Sequence, residues 1–74
     1  MSVDDARRLA ALQADVDILA GATPDTVLAT LPHWDSLAVL LVLSHLERTY
    51  QVELSGPQVR ACRTIGDLLR LIPR

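Results

Sequence analysis

Apolar residues recur along this chain at spacings of three and four, between polar stretches marked by Gly21, Pro24, Pro32, Gly56, Pro57 and Pro73. That period belongs to helices; half-buried strands alternate every second residue. Leu9, Leu12, Val16 and Leu19 share one face and predict a first helix over residues 3–20, closed by Gly21 in a left-handed conformation. Arg8, Ala11 and Asp15 fall away from that face. Asp4 and Asp5 occupy the first turn, where carboxylates favour the positive end of the helix dipole. Residues 22–35 then form a long connection. Thr23-Pro24-Asp25 predicts a short helical turn in it, with Thr23 as cap, Pro24 in the first helical position, Val27, Leu28 and Leu31 pointing inward, and Pro32 as the stop.

A second helix is predicted over residues 36–50, with Asp35 as its cap. Val39, Val42, Leu43, Leu46 and Tyr50 form its core stripe at about 100° per residue. Leu37, Leu41, Ser44 and Arg48 lie opposite, and Ser36, Leu40 and Glu47 run along a flank between the two. Val52 and Leu54 are expected to dip into the core from an irregular segment. Ser55-Gly56-Pro57 opens a short helix ending near Cys62. Thr64 caps the last helix, with Asp67 completing a form of the capping box, Ile65, Leu68, Leu69 and Ile72 facing inward, and Pro73 as the stop. The sum is an all-α fold: a small four-helix bundle of three longer helices and one short one, with a long first loop, in a single domain over residues 1–74.

Composition narrows the function classes. Half the chain is apolar, enough for one core, and the chain is expected to fold with about 4–11 kcal/mol of stability. There are seven arginines and no lysine against nine acids, for a net charge of −2, which argues against a nucleic-acid partner. One cysteine allows no intrachain disulfide and fits a reducing compartment. The apolar stretch 37–43 is too short to span a bilayer. The start, Met1-Ser2-Val3-Asp4-Asp5, is acidic where a secretory signal is basic, so a cytoplasmic location and no membrane partner are expected.

One position can carry chemistry. In Trp34-Asp35-Ser36-Leu37 a serine stands where a loop becomes a helix. The first N–H groups of a helix have no internal partner, and with the dipole they favour an anion there, so a phosphate ester on Ser36 suits the position. Serine after aspartate at a helix start also serves as a plain cap.

The wider arrangement separates these readings. Asp35-Ser36-Leu37 is followed by Leu46-Glu47 and Tyr50, then by Val52-Glu53-Leu54, and finally by Thr64-Ile65-Gly66-Asp67-Leu68. Taken together, and over nearly the whole chain, this resembles the acyl carrier protein family. The resemblance implies that a phosphopantetheinyl transferase, using coenzyme A and a magnesium ion, attaches 4′-phosphopantetheine to the Ser36 hydroxyl. The arm's thiol would carry an acyl or aminoacyl group as a thioester, with no catalytic residue in the carrier. Asp35 would dock the transferase as a charge and Leu37 as an apolar plug.

The chain departs from the family's pattern in two places. Acyl carriers of fatty-acid synthesis have a strongly acidic second helix, whereas Ala38 and Leu41 stand here where that group often has acids. Asp35 and Glu47 remain as acidic contacts, with Arg48 beside Glu47. The usual glycine two before the serine is replaced, with Trp34 next to the aspartate and His33 before it. Recognition is therefore expected to lean on Leu37, Leu40 and Leu41, rimmed by Asp35 and Glu47. This fits a free-standing, monomeric carrier of polyketide or related natural-product synthesis, or an aminoacyl or peptidyl carrier of a nonribosomal-peptide-type pathway. Its expected partners are an acyltransferase, an adenylating enzyme or a ketosynthase. An unmodified helical interaction module presenting Leu37 and Leu41 is the rival from another class.

The other reactive side chains carry no expected chemistry. His33 and His45 lack the companions of a metal site, and Ser44 and His45 face about 100° apart, so they form no catalytic pair. Cys62 reads as a small apolar filler, and Trp34 as packing over the helix start.

Overall fold

The computed structural model describes residues 3–73; Met1 and Ser2, part of the acidic N-terminal stretch, and Arg74 lie outside the described residues. Helix α1 spans Val3–Asp15, α2 Ser36–Tyr50, α3 Gly56–Arg60 and α4 Ile65–Arg70. Two 3₁₀ turns, Asp17–Leu19 and Leu28–Thr30, lie in the first connection. No strand occurs among the described residues; Val52 and Leu54 pack from an irregular segment, half-buried against the core.

The first helix is shorter than its apolar period predicts. It ends at Asp15, and Val16 turns extended at φ −121°, ψ 92°. Neither glycine nor proline breaks it. The half-buried Gln13 amide donates to the carbonyls of Leu19 (3.0 Å) and Ala22 (2.9 Å), folding the following turn back beneath the helix. Val16 and Leu19 stay buried all the same, because the 3₁₀ turn delivers them to the same core. Gly21 does adopt a left-handed φ of 79°, but it serves this turn and not the helix end.

The long loop is stitched to the head of α4. Leu28 N–H donates to the Arg63 carbonyl, Ile65 N–H to Thr26, and Gly66 N–H to Pro24. A Cβ on Gly66 would meet the Pro24 carbonyl oxygen at 3.2 Å, so this close crossing favours glycine. Thr23-Pro24-Asp25 forms a turn closed by Thr26 N–H on the Thr23 carbonyl, not a capped helical start; the 3₁₀ turn follows three residues later. Leu28 is buried and Leu31 half-buried as expected. Val27 is not inward: it is exposed, and its backbone pairs with Thr64 in an isolated bridge.

Helix α2 has the predicted bounds and cap. Ala38 N–H donates to Asp35 Oδ1 at 3.1 Å. At its far end Gln51 takes a left-handed φ of 54° and donates its N–H to the Glu47 carbonyl, an end usually given to glycine. Helix α3 carries a full capping box between Ser55 and Gln58 and stops at Arg60, short of Cys62. Thr64 and Asp67 form a second full box. Helix α4 has only six residues, so the bundle has two long and two short helices and not three long ones. Pro73 disfavours helical backbone at Ile72, and the 3₁₀-type bonds from Leu71 and Ile72 tighten the final turn. The core joins Leu9, Leu12, Val42, Leu46, Ile65 and Leu68, with Trp34 and Cys62 packed against it. No helix among the described residues is long and apolar enough to cross a membrane.

Candidate functional site

Asp35, as the cap, takes the Ala38 N–H, and its carbonyl takes that of Val39. The capping role is thereby filled, and Ser36 stands one position inside the helix with its side chain exposed. Its hydroxyl is therefore free of the helix's own hydrogen-bonding needs. The group that reaches it comes from α3: Arg60 Nη2 donates to Ser36 Oγ at 3.3 Å. Sequence spacing gave no sign of this contact across 24 residues; only the packing of α3 beside α2 creates it.

Around the serine lies an apolar face. Leu37, Leu40 and Leu41 are 64%, 57% and 44% exposed, among the few large hydrophobic side chains so placed. Asp35, Leu37 and Leu41 line one groove of about 200 Å³ with Ile18, His33 and Ala38. Leu40 and Glu47 are exposed but do not line it. Glu47 lies 11 residues from Ser36, roughly 16 Å along the axis at 1.5 Å per residue. Of the two positions where acids are often found, Ala38 is buried and Leu41 is exposed. Arg48 does not mask Glu47; it reaches α1 and pairs with Asp15 at 2.8 Å.

The wall of the groove explains the missing glycine. His33 has a φ of 65°, in the left-handed region that favours glycine, so the glycine-like backbone belongs to His33 and not to Trp34. Trp34 is half-buried against the core, as packing over the helix start requires.

Two polar clusters lie away from the serine. His45 is buried in α2, and its Nδ1 lies 2.8 Å from Asp15 Oδ2. A carboxylate only accepts, so Nδ1 carries the proton. Nε2 is buried with no hydrogen-bond partner among the described residues. This tie between α1 and α2 was invisible in the sequence, where Asp15 falls on the outer face. The hydrogen bond from His45, helped by Arg48, holds the Asp15 carboxyl below its ordinary range despite some desolvation. Backbone N–H groups of Arg63 and Thr64 do the same for Asp67, which also pairs with Arg70. Burial, with Asp67 nearby, pushes the Cys62 thiol up, so less thiolate is present for nucleophilic chemistry. No group of three or more His, Cys, Asp and Glu among the described residues is placed to hold a metal ion.

The two depressed carboxyls make the fold sensitive to acid. Their folded values lie below the unfolded ones, so their contribution is present above the ordinary value of 3.8 and is lost as pH falls through the folded values. The urea midpoint is expected to decline below about pH 5, less steeply in Asp67→Asn than in the parent. Denaturation at a series of pH values checks this; equal slopes in the two proteins would contradict it.

Ser36 thus stands exposed at the head of α2 in a small helical bundle, with the cap supplied by Asp35 and an apolar face beside it. A family model described as "phosphopantetheine attachment site" matches residues 7–72, and the chain belongs to that family. It is a carrier domain and not a catalyst, its cofactor is covalently attached 4′-phosphopantetheine, and it works with a phosphopantetheinyl transferase and pathway enzymes. No curated protein and no solved structure matches the chain.

Proposed function

We propose that Ser36 is the attachment residue of a carrier domain formed by residues 1–74, acting as a monomer in the cytoplasm. The observation that carries the reading is the exposed Ser36 hydroxyl, relieved of capping by Asp35, within the matched segment. The hydroxyl oxygen bonds to the phosphorus of coenzyme A that bears the pantetheine arm. The pyrophosphate bridge breaks, adenosine 3′,5′-bisphosphate leaves, and the serine proton passes to a base on the transferase. Asp35, Leu37, Leu40, Leu41 and Glu47 form the docking face.

The apolar character of that face supports a dedicated natural-product pathway over fatty-acid synthesis. The cargo in this reading is an acyl intermediate of polyketide-type synthesis, with an aminoacyl or peptidyl group as the alternative. A ketosynthase, acyltransferase or adenylating enzyme is the exchanging partner.

The test is intact mass after incubation with coenzyme A, magnesium and a promiscuous transferase. One phosphopantetheinyl group is expected on the parent and none on Ser36→Ala. A gain that survives the substitution removes Ser36 from the role. No gain in the parent, with partner binding indifferent to Ser36, favours the unmodified interaction module.

A further inference from the structure

Arg60 is the residue at the site that the attachment chemistry leaves unused. It ends α3, it is exposed, and its Nη2 donates to Ser36 Oγ. Arg8, Arg48 and Arg70 each pair with a carboxylate, whereas Arg60 makes no ion pair among the described residues. Asp35, the acid beside the serine, is engaged with the Ala38 N–H. A guanidinium has five donors in a planar fork, and here one of them meets a neutral hydroxyl oxygen. An ester on that oxygen would put phosphorus one bond and its anionic oxygens two bonds further out, within the sweep of the same fork. Phosphate is a group this geometry fits in two-point fashion.

We propose that Arg60 is a positioning residue that holds the phosphodiester of the Ser36-linked arm at the corner between α2 and α3. The inference rests on Ser36 being the attachment residue. The phosphate adds a negative charge next to Asp35, and Arg60 offsets it. The ester end of the arm is thereby fixed on the α3 side of the helix head, while the thiol end stays free to reach partners. Because both groups are exposed, the contact is weakened by salt.

The experiment loads the parent, Arg60→Gln and Arg60→Lys to completion, verified by intact mass, and compares each with its unloaded form. The readouts are the melting temperature at low salt and the ³¹P resonance of the loaded protein. The loaded-minus-unloaded difference in the parent is expected to exceed that in Arg60→Gln by about 3 °C, within what a surface ion pair gives a domain this size. Arg60→Lys recovers part of it, 1 M NaCl removes it, and the ³¹P resonance of Arg60→Gln moves from the parent position. An Arg60 that merely braces α3 would change loaded and unloaded forms equally. Full loading with equal differences and an unmoved ³¹P signal overturns the Arg60 assignment alone. A parent that gains no mass overturns the Ser36 reading and this inference with it.

Discussion

Leu46→Ala is expected to remove about 3 kcal/mol of stability, the largest loss predicted for any substitution here. Leu46 is 1% exposed and lies on the inner face of α2 among residues from every helix. Truncation loses the transfer energy of the deleted atoms and leaves a void in the core cluster that Leu46 shares with Leu12, Val42 and Leu68, which close packing cannot fill without movement. Set against about 4–11 kcal/mol for a chain of this length, the loss is a large fraction of the whole. The melting temperature should fall by on the order of 15 °C. Leu40→Ala is the control on the same helix. Leu40 is 57% exposed, and its truncation should change stability by no more than about 0.5 kcal/mol. Urea denaturation of both variants decides the point. A Leu46→Ala midpoint close to that of Leu40→Ala would show that the inner stripe of α2 does not carry the core.

That contrast was legible in part, since the apolar period puts Leu46 on the inner stripe and Leu41 opposite it but leaves Leu40 on the flank between, where packing decides its exposure. The Asp35 cap, the start of α2 and the Thr64–Asp67 box were legible in the sequence, because each is decided within four residues. The end of α1 was not legible. Val16 and Leu19 keep the helical period while the backbone leaves the helix, and the cause, Gln13 donating to carbonyls six and nine residues on, has no pattern of its own. The length of α4 escaped for a related reason: Ile72 continues the stripe although the backbone has passed to 3₁₀-type bonds at Leu71 and Ile72. At the site, the serine and its leucines were readable as neighbours along one helix. Arg60, His33, Ile18 and the Asp15–His45 tie depend on which elements touch, and no local spacing encodes that. The left-handed backbone at His33 was hidden because a residue with a Cβ stands where glycine would have announced it.

Leu37→Asp is expected to leave the fold standing and to slow transfer to or from partner enzymes by at least about tenfold. Leu37 is 64% exposed and adds little to the core, so the stability change should stay within about 0.5 kcal/mol. Its value lies in what a partner would cover. Burying a leucine side chain contributes about 1.5–3 kcal/mol; scaled to the exposed part, about 1–2 kcal/mol is at stake, or five- to thirtyfold in affinity. An aspartate in its place also has to be desolvated, which adds to the loss. Glu47→Gln provides the comparison. It removes an exposed charge near the far end of α2, where ion pairs contribute about 0–1 kcal/mol and are screened by salt. Its effect on transfer should stay within a few-fold and vanish at high ionic strength. Asp35→Asn belongs in the same set, because asparagine preserves the cap while deleting the charge. Transfer kinetics for the three variants, with melting curves alongside, rank the contributions. Apolar docking predicts Leu37→Asp far below the other two at any salt concentration. Should Glu47→Gln or Asp35→Asn be the more damaging at low salt and recover at high salt, electrostatic steering would govern recognition here, as it does for carriers with an acidic second helix.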